Sequence, residues 1–238
     1  MDLSVPLAAR AQKLTQLNPS AQSITEQAAP QVARDAAMEA LARGETHYTD
    51  RPGILPLRTK VAEMLTQRYG VEADPNTIVI TCGDTEARFV AAQCLLGAGE
   101  GLLCLENAGL LKGAAVIRDA KVLEVGEGLE HVRTLYLTTN TDETLRDEYL
   151  KKAGEQGWWV IFEATNEATF HPVQYEALKD KVVTIGALGK TDGLESWRVG
   201  FFHAPSGEAP ELRSFKQALT ICTTSLSQYA ALALMDAS

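Results

Sequence analysis

Long apolar runs are missing from this chain of 238 residues. No stretch approaches the roughly 20 apolar residues that span a bilayer, so no membrane segment is expected. Positive charge is short as well. Its 22 Lys and Arg stand against 31 Asp and Glu, a net charge of -9. That balance argues against nucleic acid as the main partner, because phosphate backbones are held by clustered cations. The start, MDLSVPLAAR, has an acid at its second position and no apolar core, so no secretory signal is expected. Cysteine is sparse. Cys82, Cys94, Cys104 and Cys222 form no CxxC pair, which speaks against a zinc site or a disulfide framework and for a reducing cytoplasm. The four histidines, His47, His131, His171 and His203, show no ligand spacing; they are expected on the surface or in loops. No GxGxxG opens a helix. "GAGEG" at 97–101 precedes a strand, the wrong context for a dinucleotide fingerprint.

What is present is a globular composition, 45% hydrophobic and 22% charged, long enough for one large domain. Residues 1–30 are rich in Ala and Gln and read as an arm or short helix. "APQVARDAAMEALARG" predicts a helix ending at Gly44. "LRTKVAEMLTQRYG" predicts a second, with Val61, Leu65 and Tyr69 at helical spacing. From there strands and helices alternate. "NTIVITCG", "GLLCLEN", "KVLEV", "TLYLTTN", "WWVIFE", "VVTIGALG" and "RVGFFHA" predict strands. "DTEARFVAAQCLLG", "AGLLKGAAVIRDA" and "DETLRDEYLKKAGEQG" predict helices, and the last helical stretch, from Pro210 on, is expected to break near Thr223. This alternation implies an α/β domain with a mostly parallel sheet. Such sheets bind ligands beyond the carboxyl ends of their strands.

Three places there could carry chemistry. In "TCGDTEA" a buried strand ends, Gly83 turns the chain and a helix begins; its free N–H groups at Gly83, Asp84 and Thr85 suit an anion. The same residues also suit an ordinary turn capped by Asp84 or Thr85. In "GALGKTDGLESWRVGFF", Lys190 follows a buried strand and Arg198 opens the next. A lysine in an apolar pocket can form a Schiff base and an arginine can clamp a phosphate, but both also read as solvated loop residues. Glu163 ends "WWVIFE", either as a locally paired core acid or as a functional acid at the sheet edge. Trp158 and Trp159 read as core.

The order of these segments resembles the fold-type I, pyridoxal-phosphate-dependent aminotransferases of class I and II. "YTDRPGILPLRTKVAEMLTQRYGV", "IVITCGDTEARFVAAQCLLGAGEGLLCLEN", "KTDGLESWRVGF" and "TTSLSQYAALALM" are similar to that family's segments and occur in its order. The resemblance implies a three-layer α/β/α large domain at 25–238 behind an N-terminal arm at 1–24, with the family's small C-terminal domain absent. It implies pyridoxal 5'-phosphate as cofactor, transamination of an amino acid and a keto acid, and a homodimer with shared sites. Lys190 falls on the Schiff-base lysine, and Arg198 on the arginine that binds the cofactor phosphate. Gly83, Asp84 and Thr85 fall on the phosphate-cradling helix start. Tyr48 falls on the tyrosine that reaches the neighbouring subunit's phosphate, Asn140 on the asparagine at the ring hydroxyl, and Glu163 on the aspartate that faces the pyridine nitrogen. A carboxylate there keeps that nitrogen protonated.

The chain also departs from the family. Glu163 replaces an aspartate, Asn166 a tyrosine, and Leu110 a stacking aromatic. Ala187 and Gly189 replace two serines ahead of the lysine. "TTNTDE" lacks the proline-flanked form of the asparagine motif, and the segment joining "KVLEV" to "TLYL" is short. No residue takes the role of the arginine that grips the substrate carboxylate. Each missing hydrogen bond to a charged group costs about 1.5–3 kcal/mol of affinity. Two rival readings therefore accompany the enzyme: a non-catalytic homologue acting as a binding or dimerising module, and a pyridoxal-phosphate-dependent lyase or decarboxylase on the same fold.

Overall fold

The computed structural model describes residues 28–164, 169–190 and 192–237. The expected N-terminal arm and Asn166 lie outside them. Among the described residues two helices come first, α1 (Gln31–Ala42) and α2 (Leu55–Tyr69). The alternating part follows as β1 (Ile78–Thr81), α3 (Gly83–Leu95), β2 (Gly101–Cys104), α4 (Gly109–Ile117), β3 (Lys121–Glu124), β4 (Val132–Thr138), α5 (Glu143–Gln156) and β5 (Trp159–Glu163). It continues with β6 (Val182–Ala187), β7 (Gly200–His203), α6 (Ala209–Thr220) and α7 (Ser225–Asp236). The break between the last two helices falls at Ile221, whose φ of 62° and ψ of -78° cannot continue a helix.

The seven strands form one sheet in the order β1-β7-β6-β5-β4-β2-β3. β7 runs antiparallel to both β1 and β6, while the other neighbouring pairs are parallel. Both faces of the sheet are covered, as side-chain alternation along a strand requires. Tyr136, Ile161, Val183, Ile185 and Phe202 pack with α3, α4 and α6. The intervening Leu135, Leu137, Val160, Phe162 and Val182 pack with α5, and Ile78, Ile80 and Phe201 with α2 and α7. The result is the mostly parallel sheet that the alternation predicts, in the three-layer α/β/α architecture that the resemblance implies. α1 adds to it through small residues, Ala33 and Ala37 meeting Ala230 of α7.

Two histidines correct the sequence reading. His171 and His203 are buried, at 0% and 8% exposure. His203 lies on β7, which is paired on both sides. His171 caps a short 3-10 turn, but its ring packs 4.8 Å from that of Phe162 and its Nε2 is 2.8 Å from Thr184 Oγ1. Burial lowers their pKa values to about 3 and about 4.

Candidate active site

The sheet's one reversed strand builds the site. Because β7 returns antiparallel beside β6, the loop between them starts and ends at the same edge of the sheet. Lys190 stands near its start and Arg198 near its end, and Leu188 N–H donates to Val199 O at 2.9 Å to close it. β1 ends at the same level, with Thr81 opposite Gly200, and Gly83 turns it into α3 with a φ of +73°. Space is as tight as conformation here. A Cβ on Gly83 would stand 2.7 Å from the Arg198 guanidinium, and one on Gly200 would stand 2.5 Å from the Gly83 carbonyl carbon. Two glycines thus let the start of α3 lie directly on β7.

The start of α3 is tied down by side chains. Thr81 Oγ1 donates to Gly83 O at 2.8 Å. Glu86 accepts from Cys82 N–H at 2.5 Å and from Thr220 Oγ1 at 2.7 Å, joining α3 to the end of α6. Neither Asp84 nor Thr85 caps the helix; the cap position is Cys82, with no side-chain cap bond. The capped-turn alternative is therefore set aside, and the two side chains point to other partners.

Asp84 is the centre of a charge cluster. Its side chain is 6% exposed, and Oδ2 lies 3.3 Å from both Lys190 Nζ and Arg88 Nη1. Oδ1 lies 4.0 Å from Arg198 Nη2, which donates to Thr85 Oγ1 at 2.9 Å. Burial pushes the Asp84 carboxyl up, but Arg88, Lys190 and Arg198 together hold it below the usual carboxylate range. Lys190 and Arg198 keep 42% and 40% of their side chains in solvent, so the cluster opens outward. Between its walls, which include Ala187, Leu194 and Glu195, lies a cavity of about 10 Å³, the room of a single water. Arg198 itself is left-handed, with φ 55° and ψ 57°, a conformation uncommon outside glycine and often stored at functional sites.

Glu163 lies next to this cluster and is taken up by a second one. Arg88 Nη1 donates to its Oε1 and Oε2 at 2.8 and 2.7 Å, and the Tyr136 hydroxyl donates to Oε2 at 2.6 Å. Burial lowers the Arg88 pKa, but Glu163 and Asp84 more than reverse that and hold it above the usual guanidinium value. Arg88 and Tyr136 were not among the residues that the sequence singled out. A signal existed for Arg88 alone: it stands four residues after Asp84, hence on the same helix face, and is the one cation of α3.

Of the other expected site residues, Asn140 follows Thr139, whose N–H donates to Glu163 O at 3.2 Å at the paired ends of β4 and β5, and Tyr48 lies elsewhere. Asn140 is exposed, and its backbone N–H donates to Thr138 Oγ1 at 3.0 Å. Glu106 fixes that turn by accepting from Thr138 and Thr141. Tyr48 is 76% exposed and lines a separate open groove of about 650 Å³ with His47 and Thr224. Among the described residues no group of His, Cys, Asp or Glu could hold a metal ion, and no helix is long and apolar enough to cross a membrane.

The fold is that of the fold-type I, pyridoxal-phosphate-dependent transferases. The model of the family "Aminotransferase class I and II" matches residues 15–106, a span that holds the start of α3 but not Lys190 or Arg198. The chain is 27% identical over 216 residues to (5-formylfuran-3-yl)methyl phosphate transaminase of Methanocaldococcus jannaschii, covering 83% of this chain and 58% of that one. It is 24% identical to an aspartate aminotransferase of Thermotoga maritima, covering 87% and 63%. An aromatic aminotransferase from Pyrococcus horikoshii shares its fold with a TM-score of 0.78 at 22% identity, over 94% of this chain and 70% of that one. The chain is a relative of the class I and II aminotransferases, and it spans about three fifths of the length of these curated relatives.

Pyridoxal phosphate is the cofactor of that class, and the structure offers a test of whether these residues suit it. The position where a phosphate would meet the start of α3 already holds a negative charge, the Asp84 carboxylate, kept ionised by three cations. The donor set therefore fits an anion. The ring side fits less well, because the Glu163 carboxylate is already engaged by Arg88 and Tyr136.

Proposed function

We propose that the protein is an aminotransferase-like protein that anchors pyridoxal phosphate on Lys190 and transfers an amino group between an amino acid and a keto acid. The observation that carries this reading is the convergence of Lys190 and Arg198, from the two ends of one loop, on an anion at the start of α3. In this reading Arg198 and the free N–H groups of Gly83, Asp84 and Thr85 hold the phosphate. Lys190 supplies the amine that binds the cofactor and moves a proton at the substrate's α-carbon. Bound pyridoxal phosphate supplies an aldehyde and a ring that takes up electrons. Glu163 faces the ring nitrogen, Asn140 serves the ring hydroxyl, and Tyr48 serves the phosphate of a second subunit in a homodimer.

A second reading, a homologue that keeps the domain as a binding or dimerising module, is favoured by one observation. Glu163 is committed to Arg88, so its charge is already balanced before any ring nitrogen arrives.

Reductive trapping decides between them. The protein is incubated with pyridoxal phosphate, reduced with borohydride and digested, with Lys190→Ala as control. A pyridoxyl group on Lys190, lost in the variant, is expected. A folded protein that stays unlabelled at saturating cofactor would leave only the binding module.

A further inference from the structure

We propose that Asp84 is an internal anion that occupies the phosphate subsite and competes with the cofactor's phosphate for Arg198 and the start of α3, while pairing with Lys190 and Arg88. The proposal rests on the pyridoxal-phosphate reading and goes further, because it names the residue that sets how much the phosphate contributes to binding.

Position comes first. Asp84 is the second residue of α3, where backbone N–H groups have no partner within the helix and point toward an incoming anion. Its carboxylate stands at that helix end with Lys190 Nζ and Arg88 Nη1 each 3.3 Å away and Arg198 Nη2 at 4.0 Å. The carboxylate thus lies where a phosphate would lie, among the groups a phosphate would use. The space left beside Asp84, between Lys190, Arg198 and Leu194, is that of about one water.

Charge gives the competition its sign. The groups that face Asp84 are Arg88 on its own helix, Lys190 and Arg198 on the β6–β7 loop, and Thr85 beside it. Glu163 on β5 draws on Arg88 from the far side, and Glu195 lines the same cavity. The cations are therefore already opposed by carboxylates. A dianion arriving beside an ionised Asp84 meets like charge in a partly buried site, where such repulsion is strong. Binding requires the cations to leave Asp84, and the phosphate gains only the difference between two similar attachments.

Two probes test this without measuring turnover. The first compares pyridoxal with pyridoxal phosphate on the wild-type chain, by the absorbance of the lysine-bound aldehyde. The expected preference for the phosphorylated form is below tenfold; a preference of tenfold or more overturns the proposal. The second is titration calorimetry with inorganic phosphate. Asp84→Asn keeps the shape and removes the charge, and Asp84→Gly removes the side chain as well. At least one folded variant should bind phosphate at least tenfold more tightly than wild type, and no gain in either overturns the proposal. If Lys190 binds neither aldehyde, the enzyme reading fails, while the calorimetric comparison still decides the role of Asp84.

Discussion

Arg88 and Glu163, 75 positions apart in the chain, are joined by one guanidinium nitrogen that donates to both carboxylate oxygens at 2.8 and 2.7 Å. The side chains are only 6% and 14% exposed, and Arg88 also reaches Asp84 at 3.3 Å. This pair ties α3 to β5 and links the acid expected at a ring nitrogen to Asp84 at the start of α3. Removing one member of a buried pair leaves an uncompensated charge and costs about 3–5 kcal/mol. Glu163→Ala should therefore lower stability by that amount in a urea titration. The double variant Arg88→Met, Glu163→Gln should cost less than the sum of its single changes, because neither charge remains to be orphaned. Additive losses would show that the pair does not act as a unit.

Gly200→Ala should damage the site's frame. The added methyl would stand 2.5 Å from the Gly83 carbonyl carbon, 2.7 Å from Gly186 O and 2.8 Å from Asp84 N, all backbone. Backbone cannot swing aside as a side chain can, so β7 and α3 must separate. Overpacking of this kind costs about 1–3 kcal/mol, and thermal unfolding should show the loss. Gly113→Ala is the matched control. It lies within α4, where nothing stands within 4 Å of the added carbon. There the change should raise stability by about 0.4–1 kcal/mol.

His171 and His203 make stability fall on the acid side. Burial lowers their folded-state pKa values to about 3 and about 4, from an ordinary 6.5. Below pH 6.5 the unfolded chain therefore takes up protons that the folded chain refuses. The contribution of each histidine is complete above pH 6.5 and declines as pH falls from there toward 4, at up to about 1.4 kcal/mol per pH unit. Urea midpoints measured between pH 7 and 4.5 should fall, and His203→Asn should flatten the decline.

The sequence carried most of the fold because its strands are short apolar runs bounded by turn residues, and its helices carry their own periodicity. "WWVIFE" and "KVLEV" match β5 and β3 to within a residue. The direction of β7 was not legible, because antiparallel return depends on how the loop from Leu188 to Val199 closes and not on the strand's composition. Lys190, Arg198 and Gly83 could be singled out because each stands near a strand end: Gly83 as the turn after β1, Lys190 after Gly189 beyond β6, and Arg198 two residues before β7. Tyr136 could not, since it gains its role only by meeting Glu163 of the neighbouring strand, and Arg88 carried no more than its spacing from Asp84. His203 was misjudged for a related reason: polar residues in a strand paired on both sides can be buried when a neighbouring layer covers them.

Arg198 offers a way to separate backbone cost from side-chain function. Its φ of 55° and ψ of 57° put it in the left-handed region, which costs an ordinary residue about 1–2 kcal/mol and glycine almost nothing. Its guanidinium donates to Thr85 Oγ1 at 2.9 Å and lies 4.0 Å from Asp84 Oδ1. Arg198→Ala loses the guanidinium and keeps the strain. Arg198→Gly loses the guanidinium and relieves it. The glycine variant should therefore be the more stable of the two by about 1 kcal/mol in urea titration, while both should lose affinity for inorganic phosphate to the same degree. Equal stability would mean that the left-handed backbone carries no strain. Phosphate binding retained in both variants would mean that the guanidinium does not serve the anion, and the phosphate role would have to pass to Lys190 and the start of α3.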